Sequence, residues 1–233
     1  MKLSTIAEAL SGAGLMVRGG FHPLAQDRVP EPAGTVVLVG NVGPAMWRSF
    51  TARVSLAERT APGHPLDEWT RRVVGTAASD LGATPLYPFD GPPYWPFQQW
   101  ARRAEPVHPS PIGPLIHPQY GLWHGYRAAL VFAESLALPP VEQGPSPCTA
   151  CDERPCLSAC PVDAMTPDGF AAGRCLDHLN GPKGDACREL ACLARRACPV
   201  GRSYAYGPEQ SRFHMDRFAA APPSFDEVPS ANR

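Results

Sequence analysis

Apolar residues first recur at helical spacing near the N-terminus, where Ile6, Ala9, Leu10 and Ala13 accompany Thr5 and Glu8, a pair spaced as a capping box. Gly12 and Gly14 end that helix, and residues 15–18 read as a short strand before a Gly19-Gly20 turn. The pattern then becomes a continuous β-prone run: residues 35–39, bounded by Gly34 and Gly40, predict a strand. Pro44 is placed as the first residue of a helix reaching about Ser55. Leu66, Val73, Val74, Ala77 and Leu81 predict a second helix, with Asp67 as its N-cap and Gly82 as its end. Residues 86–87 and 128–132 predict further strands, and a proline-rich stretch between them holds a short helix over 97–104. Phe213, Met215 and Phe218 predict a C-terminal helix packing back on the protein, followed by disordered final residues.

Composition divides the chain. Pro139, Pro140 and the Gly144-Pro-Ser-Pro147 sequence mark a linker, and every cysteine follows it. The expected domains are residues 1–140, residues 145–205 and a C-terminal helix and tail over 206–233. With 44% hydrophobic residues the chain can build a core, while 29 prolines and 21 glycines imply short elements and many turns. The net charge is −1 and no long basic run occurs, so nothing favours nucleic acid or an anionic membrane surface. No export signal is evident and no apolar run is long enough to span a membrane, so the expected compartment is the cytoplasm. There, clustered cysteines read as metal ligands before disulfides.

The eight cysteines carry the strongest chemistry. They read Cys148-x2-Cys151-x4-Cys156-x3-Cys160-Pro161, then Cys175 and Cys187, then Cys192-x5-Cys198-Pro199. Eight thiolates suffice for two [4Fe–4S] clusters. In two-cluster ferredoxins the cysteine before the proline ligates the other cluster. That rule groups Cys148, Cys151 and Cys156 with Cys198, and Cys160 with Cys175, Cys187 and Cys192. The four residues between Cys151 and Cys156 depart from the usual two. Two alternatives stand beside clusters: structural zinc, which favours paired Cys-x2-Cys knuckles of which only one exists here, and disulfides, which need an oxidising compartment.

The segment Ile116-His117-Pro118-Gln-Tyr120-Gly121-Leu-Trp123, continuing to Arg127, resembles the His-Pro-aromatic-Gly-x-Trp segment of CblC-type cobalamin-processing proteins. Gly43-Pro-Ala-Met-Trp47 and the helix start His64-Pro-Leu-Asp67 stand in similar order, so the likeness covers roughly residues 35–135. It implies a nitroreductase-like α+β fold, an antiparallel sheet with helices, that binds cobalamin and removes its upper ligand reductively. It also implies that His117 lies at the corrinoid site, with Pro118, Tyr120, Gly121, Trp123 and Arg127 as further cofactor-binding residues. Epoxyqueuosine reductases and reductive dehalogenases are similar in plan, and the cysteine order, including isolated Cys175, resembles the epoxyqueuosine reductase tail. The Gly-Leu-Gly-Trp-x-Gly-Lys-Asn type segment of that enzyme has no counterpart here, which weighs against tRNA modification.

The function expected is a cobalamin-dependent or cobalamin-processing reduction fed through two clusters by a redox partner, a flavoprotein or ferredoxin. Plain alternatives stand beside it: an electron carrier without corrinoid, or a cluster-based sensor. Residue by residue, His117 is also read as a turn or packing residue, Trp95, Trp100 and Trp123 as core, and Arg127 as a carboxylate or amide binder or a snorkelling side chain. Gly40-Asn-Val-Gly43 after a strand suggests a phosphate cradle but lacks the full P-loop or Rossmann pattern.

Overall fold

The computed structural model describes residues 1–166 and 169–220. In chain order the helices are α1 (Leu3–Ser11), α2 (Ala45–Arg53), α3 (Leu56–Thr60), α4 (Pro65–Leu81), α5 (Phe97–Ala104), α6 (Pro155–Ser158), α7 (Ala172–Asn180), α8 (Asp185–Leu190), α9 (Leu193–Ala197) and α10 (Pro208–Ala220). The strands are β1 (Met16–Phe21), β2 (Thr35–Val42), β3 (Thr84–Leu86), β4 (His108–Pro109), β5 (Leu115–Ile116), β6 (His124–Phe132), β7 (Met165–Thr166) and β8 (Gly169–Phe170). The chain forms two compact units, Met1–Val107 with His124–Gly144, and His108–Trp123 with Pro145–Arg233.

The first unit is α+β. Its sheet runs β1-β2-β6-β3, antiparallel throughout. Val36, Val37, Leu38 and Val39 are all fully buried, so β2 is covered on both faces, which is why it reads as a continuous apolar run rather than an alternating one. The Gly19-Gly20 pair expected to turn the chain lies inside β1, where a register shift between Val17 and Gly20 absorbs an extra residue. Nor is Gly40-Asn-Val-Gly43 a phosphate loop: residues 40–42 continue β2 and pair with β6.

Two helix starts also differ from expectation. Helix α1 begins at Leu3, before Thr5, and its N-cap Lys2 makes no side-chain cap, so the Thr5–Glu8 pair does not act as a capping box. Helix α4 begins at Pro65, because proline suits a first helical position. Asp67 therefore sits inside the first turn and ion-pairs with Arg127 at 2.6 Å, while Thr70 Oγ1 accepts from the same guanidinium at 3.1 Å.

A charged network is buried inside this unit. Arg18 is 1% exposed and donates to both carboxylate oxygens of Glu105, at 3.1 and 2.7 Å, and to the Asn41 carbonyl at 3.2 Å. Tyr126 donates its hydroxyl to the same carboxylate.

In the second unit α6 to α9 are short and none could close a core alone. Residues 108–123, expected with the N-terminal domain, supply what is missing. Ile112, Ile116 and Leu122 pack with Ala194 and Cys198, and Cys148, Cys156, Cys160 and Cys192 lie against this cluster. A roughly 60-residue cysteine region buries too little apolar surface to stand unaided, which gives the segment its physical role.

Candidate metal centre

All eight cysteines are free thiols, and they gather in two quartets. Cys148, Cys151, Cys156 and Cys198 line an open cavity of about 560 Å³. Cys160, Cys175, Cys187 and Cys192 line a second, smaller one. These are the two groups that the Cys-Pro rule assigns.

Local structure explains each placement. Ser146 caps a tight turn over Pro147–Ala150, its hydroxyl accepting the Cys148 N–H at 3.3 Å, and this turn presents Cys148 and Cys151 to the first cavity. The extra residues before Cys156 become part of the cavity wall: Asp152, Glu153, Arg154 and Pro155 all line it. Arg154 takes a left-handed conformation (φ 40°) and Pro155 then starts α6, so the insertion is absorbed in a turn and Cys156 still reaches its partners. Cys160 leaves α6 toward the second quartet, where its sulfur accepts the Ala164 N–H at 3.3 Å. Cys175 and Cys187 come from α7 and α8. Helix α9 joins the quartets, with Cys192 as its N-cap and Cys198 as its C-cap. Six residues at helical rise separate these two by roughly 9 Å of backbone.

The electrostatics disfavour ionised thiols in the absence of a cation. Burial pushes the thiols of Cys156, Cys187 and Cys198 up, and the other sulfurs of the same quartet add to it. Cys175 goes furthest, to about 12, through burial first and then Cys192, Cys160 and Cys187. Four thiolates cannot share such a space unless positive metal charge balances them, so loading a metal core must release protons. Among the described residues no three His, Cys, Asp or Glu side chains close on a single ion. The first quartet opens on the cavity of about 560 Å³ and the second on one of about 20 Å³, and eight thiols in two groups of four are compatible with iron–sulfur clusters.

The residues assigned to a corrinoid by resemblance are distributed differently. His117, Pro118, Tyr120, Gly121 and Trp123 belong to the cysteine-bearing unit and Arg127 to the α+β unit. His117 is nearly buried, and its Nδ1 accepts the backbone N–H groups of Gln119 (3.0 Å) and Tyr120 (3.3 Å). The ring stacks on Tyr120 at 4.2 Å, and Tyr120 meets Tyr204 edge-on. Pro118 is exposed in the same turn. Gly121 (φ +58°) and Gly201 (φ +72°) bring two backbones into direct contact, at Val200 and at Tyr120 respectively. Trp123 packs on Tyr206, and the Arg195 guanidinium lies over both rings at 4.6 and 4.7 Å while donating Nε–H to the Leu122 carbonyl at 3.0 Å. Of the other tryptophans, Trp100 is fully buried core, and Trp95 stacks on it. Sequence reasoning missed His178, which lines the second cavity; its signal was the three-residue spacing from Cys175 on a helix.

An antiparallel α+β unit together with an eight-cysteine unit defines the class, and comparison with solved structures gives it a more particular shape. The chain's fold resembles that of epoxyqueuosine reductase, of whose length it spans about two thirds. It superposes on the enzyme crystallised with an epoxyqueuosine-modified tRNA-Tyr stem loop over 89% of this chain and 68% of that one, at 18% identity and a TM-score of 0.50. The Streptococcus thermophilus epoxyqueuosine reductase matches over 91% and 70%, at 15% identity and a TM-score of 0.50. The C. elegans B12-trafficking protein CblC, a human MMACHC homologue, matches over 93% and 91%, at 15% identity and a TM-score of 0.52. No family model matches the sequence, and no curated protein sequence does. No helix among the described residues is long and apolar enough to cross a membrane.

Proposed function

We propose that this chain is an iron–sulfur redox protein that carries two [4Fe–4S] clusters and uses their electrons to reduce or process a bound cobalamin. The observation that carries the reading is the gathering of eight thiols into two quartets joined by α9. Bound clusters would supply single electrons at low potential. The chain's own residues hold the two groups of ligands, balance their charge with Arg202 at the first quartet, and set how much water reaches each. The corrinoid half of the proposal rests on the fold shared with a B12-trafficking protein and on the likeness of the His117 segment. A corrinoid would need such electrons to reach its reduced states.

A second reading, an electron carrier without corrinoid, is favoured by His117 itself. Its Nδ1 holds a turn in the cysteine-bearing unit, a sufficient structural reason for that residue. The two readings separate in one experiment. The chain is reconstituted anaerobically, mixed with excess cob(II)alamin and desalted, and the EPR spectrum of the retained material is recorded. A retained stoichiometric corrinoid signal, altered from that of free cob(II)alamin, supports the first reading. Intact clusters with no retained corrinoid leave the carrier.

A further inference from the structure

The two quartets sit in unlike surroundings. The first opens to charged side chains, among them Arg154 and Arg202. The second is enclosed by apolar groups such as Val162, Met165, Leu193 and Met215, with no lysine or arginine among the described residues that line it. His178 is the exception. It is the one N–H-bearing side chain among the described residues lining that cavity, and its Nε2 is buried with no hydrogen-bond partner. An imidazole nitrogen withdrawn from water without a partner costs free energy, and an aliphatic side chain would fill the same apolar space without that cost. His178 follows Cys175 by three residues on α7, so both project from the same helix face. Among the described side chains that line the cavity, the only acceptors are sulfurs.

We propose that His178 donates its Nε2–H to a sulfur of the second cluster and so raises that cluster's reduction potential relative to the value its apolar enclosure would impose. The inference rests on the cluster reading above. Reduction adds negative charge to a core already bearing four thiolates, and a dry cavity disfavours that charge. A hydrogen bond to sulfur stabilises the reduced form. At the first quartet Arg154 and Arg202 offer N–H donors beside the carboxylates of Asp152 and Glu153; at the second, His178 is the available side-chain N–H donor among the described residues. It is a positioning residue for charge, not a ligand.

The test compares His178→Phe, which fills the space without a donor, with His178→Gln, which restores an N–H. Whole, reconstituted protein is titrated anaerobically under EPR, and histidine-¹⁵N-labelled protein is examined by pulsed EPR. In His178→Phe the reduced-to-oxidised ratio of one cluster at a fixed solution potential falls about tenfold, equivalent to about 59 mV for one electron. The other cluster is unchanged, the nitrogen coupling disappears, and His178→Gln recovers most of the shift. Both potentials unchanged in His178→Phe, with iron fully bound, would overturn the inference and leave the cluster reading standing. Loss of half the iron from both variants would also overturn it, making His178 a ligand or a folding residue. Wild-type protein that takes up no cluster removes the cluster reading and this inference with it.

Discussion

Replacing Gly121 by alanine tests whether residues 108–123 belong to the cysteine-bearing unit for structural reasons. A Cβ at Gly121 would fall on the Val200 carbonyl and lie 3.2 Å from the Gly201 nitrogen, in a backbone at φ +58°. The left-handed conformation alone costs an L-residue roughly 1–2 kcal/mol. Forcing an extra carbon into a packed site adds about 1–3 kcal/mol, for a total of roughly 2–5 kcal/mol. The neighbour is backbone two residues beyond Cys198, so it yields only by moving that cysteine of the first quartet. Gly82→Ala is the matched control: its φ is +65° and nothing lies within 4 Å of the added carbon, so only the conformational cost applies. The assay is urea denaturation of both variants, with the rate of iron loss to a chelator as a second readout. Gly121→Ala is expected to be the less stable by at least about 1 kcal/mol and to release iron from one cluster faster. Equal stability and equal iron retention in the two variants would refute the packing argument.

Other outcomes follow from the same geometry. Cys156→Ala and Cys198→Ala should each lose about half the iron, their double variant no more than either, and Cys156→Ala with Cys175→Ala nearly all of it; iron analysis after reconstitution decides. Glu105→Leu strands the buried Arg18 guanidinium and should cost the α+β unit about 3–5 kcal/mol in denaturant unfolding, whereas Arg18→Met with Glu105→Leu should recover most of that. Burial holds the Glu105 carboxyl above its ordinary value of 4.5 despite the pull of Arg18. Its contribution to stability is therefore complete below that value and lost as pH rises through the raised one, a limb that Glu105→Gln should flatten in pH-dependent unfolding. Arg195→Lys keeps the charge but loses the guanidinium held over the Trp123 and Tyr206 rings, and thermal unfolding should show a loss of about 1–2 kcal/mol.

The elements most legible in the sequence are those whose signals are local. Helix α5 is written by its spacing of Phe97, Trp100, Ala101 and Ala104, all buried, and β2 by its unbroken apolar run. The cysteine grouping was legible because Cys-Pro junctions carry their geometry with them. What stayed hidden depended on distant partners. Two adjacent glycines read as a turn, but at Gly19 the space a side chain would need is taken by the Ala104 carbonyl, so they mark a close backbone approach within β1. Asp67 has the composition of an N-cap, yet Arg127, sixty residues on, gives it a different role. The 108–123 segment adjoins the α+β unit in sequence but packs with the cysteine-bearing unit, whose short helices lack apolar surface. His178 carries only its three-residue spacing from Cys175 in the sequence, and the cavity gives that spacing a meaning.

The central claim is that each quartet holds an iron–sulfur cluster. Its most direct test is iron and acid-labile sulfide analysis of anaerobically reconstituted protein, together with the EPR spectrum after reduction. The account predicts about eight irons and eight sulfides per chain and the signals of two interacting reduced [4Fe–4S] clusters. Stoichiometric zinc without sulfide, or thiols that stay metal-free, would contradict it.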